Sequence, residues 1–256
     1  MIKKIKRKLG HYFREENGTS SGNTDTKKNY FPADFTESDI KIIDAVKNYT
    51  MTSSERIKVL LEAVDYIDKN KIPGDYVECG VWKGGSSLAV AMKLEEIGNL
   101  NKNIWLFDTF EGMSEPTEFD EDLKGRLAKD RLAKEDKELS WVWAYSGLDE
   151  VKKTMQRCNY PKSKIKFIKG KVEETLLSKN IPDRISILRL DTDWYESTKM
   201  ELEILFPRVV EGGIIIIDDY GHWKGSKKAV DEYLSQIGKP IFLNRIDYTA
   251  RLIIKN

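Results

Sequence analysis

Four carboxylates close two of the most apolar runs in this 256-residue sequence: Asp191 and Asp193 end the run at 185–191, and Asp218 and Asp219 end the run at 213–218. If both runs are neighbouring strands of one parallel sheet, their carboxyl ends lie side by side and four acids crowd one rim. Like charges at close range raise each other's pKa unless a cation neutralises them. Hard oxygen donors in this number suit Mg²⁺, Ca²⁺ or Mn²⁺, whereas two His and two Cys in the whole chain are too few for a zinc site. A metal there would lower the pKa of a bound substrate hydroxyl, and a nearby carboxylate would take its proton. The plainer alternative makes the same acids N-caps of the helices that follow. His222, just past the second pair, either carries protons or is a hydrogen-bonded structural residue. Trp194, Tyr220 and Trp223 either line a sugar or ring pocket or pack in the core.

Two further strand ends carry candidates. The run Glu78-Cys79-Gly80-Val81-Trp82-Lys83-Gly84-Gly85-Ser86-Ser87 places glycines between a strand and a helix, where they permit tight turning and close backbone approach to a ligand. The dinucleotide fingerprint G-x-G-x-x-G is absent, which disfavours a pyrophosphate site and a dehydrogenase. Glu78 suits a ligand with a positive group or hydroxyl donors. Asp108 ends the next strand, where a carboxylate accepts hydrogen bonds from a ribose diol or else caps a turn.

The elements that must position these residues alternate. Strands are expected at 76–79, 104–108, 164–169, 185–191 and 213–218. Helices are expected at 37–48, 53–70, 86–97, 147–159, 172–179, 195–206 and 226–237, the second opening on the cap signal Thr52-Ser53-Ser54-Glu55. A hairpin at 241–246 and 249–254 closes the chain. Short apolar strands alternating with helical patterns specify an α/β fold, a mostly parallel sheet with helices on both faces. The charged segment 111–140 interrupts the rhythm and is expected to form a helical lid.

Composition bounds the rest. With 43 Lys+Arg against 42 Asp+Glu, the net charge is +1, so no global charge favours nucleic acid. The 40% hydrophobic fraction supports a sizeable core. Two cysteines are too few for a disulfide framework and fit a reducing, cytoplasmic setting. No stretch reaches the roughly 18 apolar residues needed to span a bilayer. Residues 1–35 read as a basic, flexible N-terminal segment, with Lys3, Lys4, Lys6, Arg7, Lys8 and Arg14 either solvated or in weak contact with anionic lipid headgroups.

Five motifs in order resemble the macrocin O-methyltransferase family: Tyr49–Arg56, Val77–Gly85, Leu106–Met113, Leu188–Thr198 and Ile217–Trp223. The resemblance covers 36–256 and implies a class I, Rossmann-like methyltransferase fold of seven strands, one antiparallel. It further implies S-adenosylmethionine and Mg²⁺ as cofactors, a sugar hydroxyl of a small molecule or glycan as acceptor, and a homo-oligomer. Glu78, Gly80, Val81, Trp82, Ser86 and Ser87 would hold the methionine part. Asp108 and Thr109 would meet the ribose, Val172 and Glu173 would lie near the adenine, and Tyr49, Thr50 and Met51 would cover the cofactor. Asp191, Asp218 and Asp219 match the family's metal ligands. Asp191 is the first choice of general base, with Asp193 in reserve and His222 assisting. Two rivals stand beside this reading: a metal-dependent glycosyltransferase using Asp191-Thr192-Asp193 as a D-x-D, and a non-catalytic binding module.

Overall fold

A computed structural model describes residues 31–140 and 142–256. The basic segment's lipid contact falls on residues 1–30, outside the described ones. Among the described residues, two helices precede the sheet. α1 (Glu37–Val46) starts with a capping box: the Asp39 amide donates to Thr36 Oγ1 at 3.2 Å, and the Asp39 carboxylate accepts from the Thr36 amide at 3.0 Å. α2 (Ser54–Lys69) is capped by Ser53, whose hydroxyl accepts from the Arg56 amide at 3.2 Å.

The strands are β1 (Asp75–Cys79), β2 (Ile104–Asp108), β3 (Ile165–Lys169), β4 (Ile185–Leu190), β5 (Val209–Ile217), β6 (Asn244–Arg245) and β7 (Arg251–Ile254). They form one sheet in the order β3-β2-β1-β4-β5-β7-β6, with β7 antiparallel to both neighbours. Every residue of β4 is buried, as expected of a central parallel strand covered on both faces. The remaining helices are α3 (Gly85–Glu96), α4 (Ala128–Lys134), α5 (Leu148–Met155), α6 (Val172–Thr175), α7 (Tyr195–Leu205) and α8 (Lys224–Gln236). On one face Val77, Cys79, Leu188, Leu190, Ile215 and Ile217 pack with Leu202, Leu205 and Val230 of α7 and α8. The alternate residues, among them Glu78 and Arg189, face the other way. Phe35–Asn256 packs as one compact unit. Among the described residues no helix is long and apolar enough to cross a membrane.

Some boundaries differ from expectation. β5 begins four residues early because a register irregularity, with Gly212 at φ +74°, carries the strand on from Val209. β6 keeps only two residues of the expected 241–246. Pro240 withholds an N–H at its start, and Ile241 and Leu243 turn toward the core while Phe242 is 79% exposed. The segment 111–140 contains one short helix, α4, and is otherwise irregular. Buried Asp120 anchors it, accepting the Tyr195 amide at the start of α7 at 2.7 Å. Ala128, Leu132 and Val142 pack against Trp194 and Trp223. Those two tryptophans are therefore packing residues, 1% and 3% exposed and edge-to-face at 4.8 Å, rather than the walls of an open pocket.

Candidate active site

The sheet order changes direction between β1 and β4, which opens a crevice at their carboxyl ends. Four residues just past strand ends continue the ladder there. Gly80 donates to Phe107 O, Asp191 to Cys79 O and Asp218 to Leu190 O, each at 2.9 Å, and Gly170 donates to Asp108 O at 3.0 Å. These bonds place Asp108, Gly80, Asp191 and Asp218 in one row. Three loops on this rim hold a non-glycine residue in the left-handed region: Trp82 (φ +47°), Phe110 (φ +52°) and Asp193 (φ +67°). Such backbone strain gathers where the surroundings over-determine a site.

Arg189 is the hub. It is 2% exposed, and Nη1 donates to Glu78 Oε1 at 2.7 Å and Asp191 Oδ2 at 2.6 Å. Nη2 donates to Thr52 Oγ1 and Asp218 Oδ1, both at 2.8 Å. Ser87 Oγ donates to the other Glu78 oxygen. Asp218 also accepts from Arg56 Nη1, and Arg56 Nε pairs with Asp247 at 3.0 Å. Burial works against an ionised Asp218, yet Arg189 and Arg56 hold its carboxyl below the ordinary range.

The other three acids have no such counter-charge in full. Asp191, Asp193 and Asp219 each offer an oxygen, and these oxygens lie within 4.8 Å of one another. Desolvation pushes Asp191 well up despite Arg189, and pushes Asp193 to about 7. Desolvation and the Asp193 and Asp218 charges push Asp219 well up. Three crowded carboxylates that resist ionisation together are a donor set that fits a hard divalent cation. The geometry thus groups Asp193 with Asp191 and Asp219, and engages Asp218 with two arginines.

The glycine loop is wedged against this rim. A Cβ on Gly80 would lie 1.9 Å from the Asp191 carbonyl oxygen, so only glycine fits. Gly85 donates to Tyr49 O at 2.8 Å, and Ser86 Oγ lies 3.3 Å from Thr50 Oγ1 and 3.4 Å from Thr52 Oγ1. The segment 49–52 is therefore seated on the start of α3, with Met51 half-buried beside it. Asp108 is largely used by the chain itself. Its Oδ2 accepts from the Val81 and Trp82 amides at 2.6 and 3.2 Å, and its Oδ1 from the Phe110 amide at 2.6 Å. Thr109 Oγ1 donates to Gly112 O at 2.6 Å. Val172 belongs to the core, and Glu173 beside it is half-buried. His222 stacks edge-on to Trp223 and Tyr248, with Nδ1 3.3 Å from the Tyr248 hydroxyl. Burial lowers its pKa, and the charges that act on it come from Asp122, Arg131, Arg126 and Arg56 rather than from the acidic trio.

Arg189, Arg56, Asp120 and Asp247 carry no candidate role in the sequence, and Thr52 appears there only in a helix-cap signal. Arg189 carried a signal: an arginine inside an otherwise apolar central strand must find buried anions. Arg56 and Asp247 lie in different elements far apart in sequence, and nothing local links them.

A family model described as Macrocin-O-methyltransferase (TylF) matches residues 20–254, beginning ahead of the start expected at residue 36. The 8-demethyl-8-(2,3-dimethoxy-alpha-L-rhamnosyl)-tetracenomycin-C 4'-O-methyltransferase of Streptomyces olivaceus is 32% identical over 207 residues, 79% of this chain and 74% of that one. The demethyldecarbamoylnovobiocin O-methyltransferase of Streptomyces niveus is 32% identical over 185 residues, 72% and 67% of the two chains. The solved structure of the O-methyltransferase NovP superposes with a TM-score of 0.70 at 29% identity, covering 81% of this chain and 82% of that one.

Proposed function

The chain belongs to the Macrocin-O-methyltransferase family and is an S-adenosylmethionine-dependent O-methyltransferase, and from that premise we propose that it methylates a sugar hydroxyl of a natural product or surface polysaccharide with the help of Mg²⁺. The sugar assignment is supported by relatives whose names specify a rhamnosyl-bearing acceptor and mycinamicin III 3''-O-methylation. The observation that carries the metal is the convergence of Asp191, Asp193 and Asp219 within 4.8 Å.

S-adenosylmethionine supplies a sulfonium methyl, an electrophile that needs only an aligned oxygen nucleophile. Asp191, Asp193 and Asp219 would hold a divalent cation, which when bound would lower the pKa of a hydroxyl brought to the rim. Asp191 and Asp219 are the two ligands on which the family pattern and the geometry agree. Asp218, the family pattern's third ligand, is held here by Arg56 and Arg189. The chain's own residues do the remaining work. Glu78 and the loop from Gly80 to Ser87 form the floor under the methionine part, and Tyr49–Met51 cover it. Asp108 shapes that loop through three backbone amides and offers its remaining lone pair to the ribose. Val172 and Glu173 border the adenine, and the 111–140 segment closes over the rim as a lid. Asp191 shares Oδ2 with Arg189, so Asp193 is the better placed proton acceptor, and His222 orients the acceptor side through Tyr248. The D-x-D reading of Asp191-Thr192-Asp193 as a nucleotide-sugar site gives way to this one.

Isothermal titration of S-adenosylhomocysteine with and without Mg²⁺, followed by methyl transfer to a panel of deoxysugar and polysaccharide acceptors, tests the reading. Cofactor binding with Mg²⁺-dependent turnover on a sugar is expected. Turnover indifferent to Mg²⁺ and to chelator would remove the metal, and binding of UDP in place of the cofactor would revive the glycosyltransferase.

A further inference from the structure

Glu201 has no part in the chemistry described so far, yet it is fully buried on α7 among other acids. Its Oε1 accepts from Thr192 Oγ1 at 3.0 Å, and its Oε2 has no hydrogen-bond partner among the described residues. Burial pushes its carboxyl well above the ordinary range, and the charges around it belong to Glu173, Asp219 and Asp191. A carboxyl placed among acids, without a cation, is a poor stabilising element. An apolar side chain would fill the place at lower cost but could not accept from Thr192.

That task is visible in the turn above it. Asp191 is fixed by its bond to Cys79 O, and Thr192 follows with its backbone nitrogen 3.2 Å from where a Gly80 Cβ would stand. Asp193 then takes a left-handed conformation, and the Trp194 amide closes the turn on Thr192 O at 2.8 Å. Thr192 is thus pinned between the glycine loop on one side and Glu201 on the other. Among the described residues, the Thr192 hydroxyl is held by this one bond to Glu201. Aspartate tolerates the left-handed region better than most residues, and the fixed turn around it holds it there.

We propose that Glu201 is a positioning residue: through Thr192 Oγ1 it holds the left-handed turn at Asp193 and so brings the Asp193 carboxylate into register with Asp191 and Asp219. This rests on the acidic trio being the working rim. Misplacement of a reacting group by about 1 Å lowers turnover on the order of 100-fold, and because Asp193 is also one of the three cation donors, moving its carboxylate out of register lowers cation affinity by about 10–100-fold, as when groups that orient metal ligands are removed.

The test compares Glu201→Gln, Glu201→Met and Thr192→Val in the full chain. Glu201→Gln keeps an acceptor for Thr192 and retains Mg²⁺ affinity by titration calorimetry. Glu201→Met and Thr192→Val each lose about 10–100-fold in Mg²⁺ affinity, and the double variant loses no more than either single one, because both remove one interaction. Melting temperature is followed in parallel. A Glu201→Met protein that melts lower but binds Mg²⁺ as the parent does overturns the proposal, as does a fully competent Thr192→Val. If Glu201→Met fails to fold, Thr192→Val carries the comparison. If the parent protein itself binds no Mg²⁺, the metal reading falls and the crystal structure of Thr192→Val decides: a rearranged turn at Asp193 sustains the role of Glu201, and an unmoved turn ends it.

Discussion

Replacing Arg189 by methionine tests the site's electrostatic construction. The guanidinium makes four hydrogen bonds of 2.6–2.8 Å to Glu78, Asp191, Thr52 and Asp218, all inside the protein. Methionine restores much of the volume but leaves three carboxylates facing one another. Removing one partner of a buried ion pair costs about 3–5 kcal/mol, because the remaining charge is uncompensated. Asp218 keeps Arg56 and Glu78 keeps Ser87, so the lower part of that range applies at each acid taken singly. At about 2–4 °C per kcal/mol for a chain of this size, Arg189→Met should melt roughly 6–12 °C below the parent. The deficit should shrink on acidification. Burial already raises Glu78 and Asp191, and without Arg189 they rise further. The folded variant therefore binds protons more tightly than the unfolded chain, and its stability grows as pH falls from neutral toward about 5. Adding Glu78→Gln should recover about 1–3 kcal/mol by removing one buried charge. Thermal and urea unfolding followed by circular dichroism at neutral and mildly acidic pH measure all three quantities. A variant melting within about 3 °C of the parent, or one whose deficit is the same at both pH values, would refute the claim that Arg189 neutralises buried acids.

Gly80→Ala puts a methyl 1.9 Å from the Asp191 carbonyl oxygen at φ +82° and should destabilise by at least ~2 kcal/mol and abolish S-adenosylhomocysteine binding in calorimetry. Gly98→Ala, with φ +73° but open space around it, should lose only about 1–2 kcal/mol and keep binding. Asp193, raised to about 7, stays protonated in the folded chain where the unfolded carboxyl has already ionised. Stability therefore declines as pH climbs from about 4 to 7, and saturating Mg²⁺ should flatten that decline in melting curves; a slope unaffected by Mg²⁺ would count against the cation. Asp219→Asn should remove most of the Mg²⁺-dependent rise in melting temperature, whereas His222→Gln, which sits among Trp223 and Tyr248, should leave it in place.

The central strands were readable because their runs are short, apolar and β-branched: the expected 185–191 and 213–218 end within one residue of the observed strands, although β5 starts four residues earlier. They were least readable at the edge, where β6 shrank to Asn244–Arg245, since an edge strand depends on one neighbour and on where a proline falls. Ser53 was legible as a cap because its partner, the Arg56 amide, is three residues away. The four rim acids were legible by position, at the ends of strands in a sheet of known polarity. Their division of labour was not. Asp218 reads like Asp219 in sequence, and only the arrival of Arg56 from α2 and Arg189 from β4 separates a charge-neutralised acid from three that crowd together.

The sequence by itself therefore determined the alternating fold, the glycine loop and the acids that meet at one rim, because each rests on a local period or on which residue type ends a strand. Only the tertiary structure decided that Arg189 joins Glu78 and Asp218, that Asp120 and the paired tryptophans anchor the 111–140 segment, and that Glu201 stands under Thr192. Glu78 and Arg189 are 111 residues apart, and Thr52 and Arg189 137. A buried charge chooses its partner by proximity in the folded chain, and proximity across such separations is set by strand order and register rather than by any spacing along the sequence.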